Sequence, residues 1–326
     1  MRILLITPAP PRSRHGNRVT ALRWLRILRG LGHRVTLAQT YRDQPCDLLI
    51  ALHARRSHDA VRRFRALHPH RPLIVALTGT DLHHDLARSA RARRSLELAT
   101  LLVTLQPLAI RQVPARQRAK VRVILQSGAA AGARVKPAPG FQVCVVGHLR
   151  REKDPLRTAL AVRRLPSASA LRVVHAGKAL APHWQTRALR ETRSNPRYRW
   201  VGALGPAAVA RLMGRSRAMV LSSRMEGGAN VVTEAVVRGL PVLASRIPGS
   251  VGLLGARYRG YFPVGDTQAL RRLLLRVEAQ PALLERLRRQ VDALAPRFRP
   301  AREREAWRRV LRECRRGDGT RRAAEG

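Results

Sequence analysis

Apolar runs recur along the chain at 2–7, 34–38, 48–52, 73–77, 101–105 and 121–125, without the alternation of a half-solvated strand. Amphipathic stretches fill the gaps at 19–31, 59–67 and 82–98, with a short helix after Pro107. Apolar strands separated by helices predict a parallel sheet covered on both faces. Residues 128–140, rich in Ala, Gly and Pro, break the pattern and read as a linker. The pattern restarts at 142–146, 172–176, 198–201, 218–221 and 242–244, and helices at 267–279 and 281–294 come after it. Pro296 and Pro300 interrupt the chain before a last helix at 301–312.

The expected fold is therefore α/β, with two doubly wound, Rossmann-like units in series. The expected division is a first domain at 1–128, a linker at 129–140 and a second domain at 141–295. A C-terminal helix at 296–314 would return to the first domain, and 315–326 would form a disordered tail. In open α/β sheets ligands sit beyond the carboxyl ends of the strands, so two such units facing a cleft suit a two-substrate reaction.

Charge changes the picture less than its size suggests. The formal net charge is +44, and arginine supplies 60 of the 64 basic residues. The arginines are dispersed through every expected helix, which reads as compositional bias. Specific nucleic-acid binding, supported by charge alone, is the rival from another class. Aromatics at 4% are too few for base-stacking platforms. The basic surface favours anionic substrates and leaves room for contact at an anionic membrane face. Cys46, Cys144 and Cys314 are far apart and form neither a disulfide framework nor a zinc site. No apolar run approaches the roughly 18 residues of a membrane helix, and a cytoplasmic location is expected. Oligomeric state is not readable from these features.

The stretch 219–245 is the most informative. An apolar strand leads into a loop at Glu226, Gly227, Gly228 and Asn230, then a helix carrying Glu234, then the stop Gly239-Leu240-Pro241. Free N–H groups where such a helix begins suit a diphosphate. Glu234, eight positions after Glu226, can accept hydrogen bonds from ribose hydroxyls, and Glu226 faces the group attached beyond the phosphates. That is a nucleotide-sugar site.

Three segments carry a family resemblance: Glu226 to Glu234 with the flank Glu234-Ala235 through Gly239-Leu240-Pro241-Val242 to Ser245; Val146-Gly147-His148-Leu149-Arg150-Arg151-Glu152-Lys153; and Asp47 through His53, a strand ending in histidine. Together they resemble the GT-B glycosyltransferases of family 4. A narrower likeness joins 51–57, 77–82, 146–150, 198–204, 223–228 and 260–262. In these segments the chain resembles the selenosugar synthases of selenoneine biosynthesis. That likeness implies UDP-N-acetylglucosamine as donor, selenophosphate as acceptor and a 1-seleno sugar as product. The runner-up reading moves sugar to a carbohydrate or lipid acceptor.

The resemblance implies roles residue by residue. Gly147, Lys153, Gly227, Gly228, Asn230 and Glu234 would bind donor, with Lys153 against the diphosphate. His148 stands where many relatives carry arginine, so Arg150, or else Arg151, would take that contact. His53 and Glu226 complete the catalytic set, His53 as a positioning or electrostatic group if selenium is the nucleophile. Gly16 and Asn17 replace a paired glycine after the first strand, and Asn17 can cap the helix there. Arg55 and Arg56, beside His53, would clamp an anionic acceptor. Asp81 either caps its helix or meets the acceptor. Asp-x-Asp is absent and no His/Cys/Asp cluster has metal spacing, so neither metal nor cofactor is expected.

Overall fold

The computed structural model describes residues 1–13, 15–128 and 136–322, with side chains as far as Arg315. The chain divides into two units: Met1–Gln126 with Pro300–Gly326, and Ser127–Arg299. The linker segment 129–135 lies outside the described residues.

Unit 1 is built on six parallel strands: β1 Arg2–Ile6, β2 Arg34–Ala38, β3 Leu48–Leu52, β4 Leu73–Leu77, β5 Leu101–Thr104 and β6 Val121–Val123. Their spatial order is β2-β1-β3-β4-β5-β6. Side chains alternate between faces along each strand. Leu49, Ala51, Val75 and Leu77 enter one core, and Leu48, Ile50, Ile74 and Ala76 enter the other. Because both faces are covered, both sets must be apolar, which is why the strands read as continuous runs. Helices α1 Gly16–Gly30, α2 His58–Leu67, α3 Leu86–Arg88 and α4 Ala90–Leu98 connect them.

The expected helix at 82–98 is broken. Residues Asp81–Asp85 form a π-helical turn, and Ser89 leaves the helix at φ −121° to cap α4 through its hydroxyl, which accepts from the Ala92 amide. Asn17 does not cap α1. His15 holds the cap position in extended geometry, and Asn17 already lies inside the first turn.

The C-terminal helix, Pro300–Arg322, packs on unit 1 and runs beyond the tail boundary read from composition. Residues 323–326 lie outside the described residues. Trp307 meets Trp24 edge to face with centroids 4.8 Å apart, and Glu303 accepts a 2.9 Å hydrogen bond from the Trp24 indole. Both rings are fully buried, so truncating either would cost about 3–5 kcal/mol.

Unit 2 repeats the plan with β7 Phe141–Val146, β8 Leu171–Ala176, β9 Tyr198–Trp200, β10 Ala218–Leu221, β11 Val242–Ser245 and β12 Tyr261–Phe262. The order is β12-β11-β10-β7-β8-β9, again parallel. Helices α5 Arg157–Val162, α6 Pro182–Ser194, α7 Pro206–Arg215, α8 Asn230–Val236, α9 Pro248–Leu254, α10 Thr267–Ala279 and α11 Pro281–Leu294 cover it. The strand order reverses between β7 and β10, where Val220 pairs with Val145. At such a switch point the loops leaving two neighbouring strands diverge and open a crevice. In unit 1 the equivalent reversal falls between β1 and β3.

Candidate active site

The switch point of unit 2 brings Lys153 and Glu226 together across 73 positions of sequence. Lys153 Nζ donates a hydrogen bond to Glu226 Oε1. The Ser223 hydroxyl donates to the same oxygen at 2.6 Å. Glu226 is 8% exposed and the Lys153 side chain 20%, so the charge-assisted bond is only partly screened by water.

Each partner is fixed by its own strand end. Lys153 closes the short turn Arg151–Lys153 that comes after β7, and Asp154 ends that turn in the left-handed region at φ 45°. The Ser222 hydroxyl donates to the carbonyls of Lys153 and Asp154 at 3.2 and 3.0 Å. The Arg224 amide donates to the Glu152 carbonyl at 2.8 Å. The loop after β10 is thus laced to the loop after β7. Ser245 on β11 adds a hydrogen bond from its hydroxyl to the Ser223 carbonyl.

Gly147 comes directly after β7, and a Cβ there would meet nothing nearer than Lys153 Cδ at 4.0 Å. Beneath it, His175 Nε2 donates to the Gly147 carbonyl at 3.1 Å, while Nδ1 accepts from the Tyr198 hydroxyl at 2.9 Å. Burial drives the His175 pKa down to about 4, so it stands neutral in this tautomer. Gly177 packs so closely that a Cβ would fall 1.8 Å from the Gly147 carbonyl oxygen.

Of the remaining donor-side candidates, Gly227 is buried, and Gly228, Asn230 and Glu234 are half-buried along the loop and α8. Arg150 stands 3.8 Å from Glu152, with its side chain 42% exposed. His148 Nδ1 accepts from the Lys178 amide at 3.2 Å.

In unit 1, His53 lies just beyond β3 at φ 74°, a left-handed conformation that is uncommon outside glycine. Strain of this kind concentrates at functional sites. The ring is 2% exposed and both nitrogens are engaged. Nδ1 accepts from the Arg56 amide at 3.3 Å, and Nε2 donates to the Thr80 hydroxyl at 3.0 Å. His53 is therefore held in place through both ring nitrogens. Asp85 lies 3.8 Å from His53 Nε2 and 3.4 Å from Arg55 Nη1. The π-helical turn Asp81–Asp85 aims that carboxylate, since the extra residue in the turn rotates the end of the segment around the helix axis.

Asp81 is fully buried. Its carboxylate accepts from the amides of Ala54, Thr78 and Gly79 at 2.8–3.2 Å. It ties the loop after β3 to the loop after β4. Arg55 and Arg56 are exposed. Gly16 and Asn17 open α1, and a Cβ on Gly16 would meet nothing within 4 Å. Residue 14, in the same loop, lies outside the described residues.

Sequence reasoning missed Asp85, Ser223 and His175. A lone histidine in the apolar run of β8 was the one signal for the last. Among the described residues no group of three or more His, Cys, Asp or Glu side chains could hold a metal ion. Among them, too, no helix is long and apolar enough to cross a membrane.

Residues 132–293 match the family Glycosyl transferases group 1. No curated protein matches the chain. Among solved structures, HepE of Anabaena, in complex with UDP and glucose, superposes with a TM-score of 0.76 at 16% identity, covering 96% of this chain and all of that one. Sucrose-phosphate synthase of Thermosynechococcus elongatus gives 0.74 at 16% identity, over 96% and 98%. The pneumococcal O-GlcNAc transferase GtfA, in complex with UDP and GlcNAc, gives 0.65 at 15% identity, over 82% of this chain and 56% of that one. With two parallel six-stranded sheets and a second unit matched almost end to end, the chain has the GT-B fold, and its segment 132–293 matches the family of glycosyl transferases group 1.

Proposed function

We propose that the protein transfers a sugar from a UDP-sugar, UDP-N-acetylglucosamine, to selenophosphate, giving a 1-seleno sugar. The observation that carries the donor half is the joined Lys153–Glu226 pair at the switch point of unit 2. Lys153 meets the negative charge that builds on the departing diphosphate. Glu226 holds Lys153 and accepts hydrogen bonds from the sugar, and Glu234 accepts them from the ribose. Solved relatives support the donor class, since HepE was captured with UDP and glucose and GtfA with UDP and GlcNAc.

The acceptor half rests on unit 1, where Arg55 and Arg56 stand beside His53, and on the segments that resemble selenosugar synthases. The C1–O bond to UDP breaks and a C1–Se bond forms through an oxocarbenium-like state. Selenium in selenophosphate is already anionic, so no base need remove a proton. Attack of water on phosphorus then releases phosphate and leaves the selenol sugar. The diphosphate charge is met by Lys153 and arginine, and the reaction proceeds at full rate in EDTA.

The test is incubation with UDP-N-acetylglucosamine and selenophosphate, read as UDP release and a selenium-bearing sugar by mass spectrometry. UDP release with neither selenophosphate nor thiophosphate overturns the acceptor assignment. Turnover with a carbohydrate or lipid instead favours that acceptor class.

A further inference from the structure

Unit 2 contains a cavity of about 270 Å³ that Lys153, Glu226 and Gly147 do not line. Arg151, Arg157, Arg187 and Arg224 converge on it with Trp184 and a single carboxylate, Asp154. That carboxylate is already committed. Arg157 Nε donates to Asp154 Oδ2 at 2.9 Å, and Arg224 Nη2 stands 3.8 Å from the same oxygen. Arg157 also donates to the Thr267 hydroxyl at 2.6 Å. Arg151 and Arg187 have no acidic partner among the described residues. Guanidinium groups gathered round a concave surface repel one another, and a dianion placed among them relieves this with forked hydrogen bonds.

The rest of the lining is not polar. Leu156, 6% exposed, and Leu160 supply an apolar floor. The Trp184 ring forms a wall, with the Arg187 guanidinium 5.1 Å from its centroid. A neighbouring groove on α6 has Arg190 and Arg193 but no aromatic lining. Arginine alone is common in this chain. Arginine, an apolar floor and an indole in one concavity are what set this place apart.

We propose that this cavity binds an organic phosphate monoester with a planar body, at a site separate from that of Lys153 and Glu226. The phosphoryl group pairs with Arg151, Arg187 and Arg224, and the ring lies against Trp184. Arg151 and Asp154 belong to the turn that carries Lys153, so occupation of the cavity bears on that turn. The assignment does not depend on which sugar or acceptor the enzyme uses.

Phenyl phosphate is the probe, titrated at constant ionic strength against tryptophan fluorescence, with inorganic phosphate and phenol as its two halves. Trp24 and Trp307 are fully buried, which leaves Trp184 and Trp200 to respond. Saturable quenching is expected, with phenyl phosphate binding about tenfold tighter than either half, a difference of about 1.4 kcal/mol. The double variant Arg151→Ser/Arg187→Ser weakens binding about tenfold, and calorimetry on Trp184→Leu shows a loss of similar size. If circular dichroism shows the double variant unfolded, Arg187→Gln alone is read in its place. Phenyl phosphate still binds when UDP is saturating. Unchanged affinity in the arginine variant, equal binding of inorganic phosphate, or complete displacement by UDP overturns the proposal.

Discussion

Gly249 backs directly onto Glu226. A Cβ built on Gly249 would lie 2.3 Å from the Glu226 carbonyl oxygen and 2.9 Å from its Cβ. Gly249 opens α9, whose first turn thus sets how deep the Glu226 loop can sit. Neither atom in its way is the end of a flexible side chain, so the backbone itself must move.

Gly249→Ala should therefore displace Glu226. A shift of the order of 1 Å at a reacting group costs about a hundredfold in rate. Overpacking of this kind also costs about 1–3 kcal/mol in stability. UDP release and thermal melting measure the two effects. Gly30→Ala, where a Cβ meets nothing within 4 Å, serves as the neutral control.

Lys153 and Glu226 should fail as a unit. Lys153→Ala and Glu226→Ala each lower kcat/KM by about 10²–10³-fold, the range seen when one donor to a developing charge is removed. The double variant loses less than the two single losses combined, with a coupling of about 0.5–3 kcal/mol. Simple additivity in a double-mutant cycle would mean that the bond between them plays no part in turnover.

His175 makes stability depend on pH. Its folded pKa, pushed down to about 4 by burial, lies well below the ordinary histidine value of 6.5. The unfolded chain therefore binds a proton in a range where the folded chain does not. The stabilisation is complete above pH 6.5 and is lost as pH falls from there through 4. A gap of this size is worth about 3 kcal/mol at roughly 1.36 kcal/mol per unit. Denaturant midpoints measured from neutral pH down to about 4 should fall in the native protein and flatten in His175→Gln.

Asp85 should act through His53 and Arg55. Asp85→Asn keeps the shape but removes the charge that faces His53 Nε2 and Arg55 Nη1. We expect kcat to fall about tenfold and the acceptor KM to rise, with donor KM unchanged. His53→Ala damages rate without abolishing it, and the pair of changes is not additive. A rise in donor KM alone would contradict this placement.

Both sheets were legible because strands buried on two faces leave unbroken apolar runs. β12, only Tyr261–Phe262, is too short to leave one. Helical periodicity over 82–98 concealed the break at Ser89, whose cap is a local hydrogen bond rather than a change of pattern. That Glu226 and Lys153 sit in loops leaving strands could be read from the glycines before and after them. Their pairing could not, because it depends on which two strands become neighbours at the reversal. Asp85 was invisible for a related reason: only an irregular turn, with one residue more than an α-helix allows, brings it to His53.

The two units differ in how they are made. The second is one continuous stretch of chain, whereas the first is written in two pieces, one at each end. Trp24 must wait for a partner, Glu303, that lies 279 positions downstream. A ribosome therefore finishes the second unit's sequence before the first unit can seal its own interior. Until the last helix emerges, an apolar strip on the nascent chain stays open to water and to whatever guards newborn proteins.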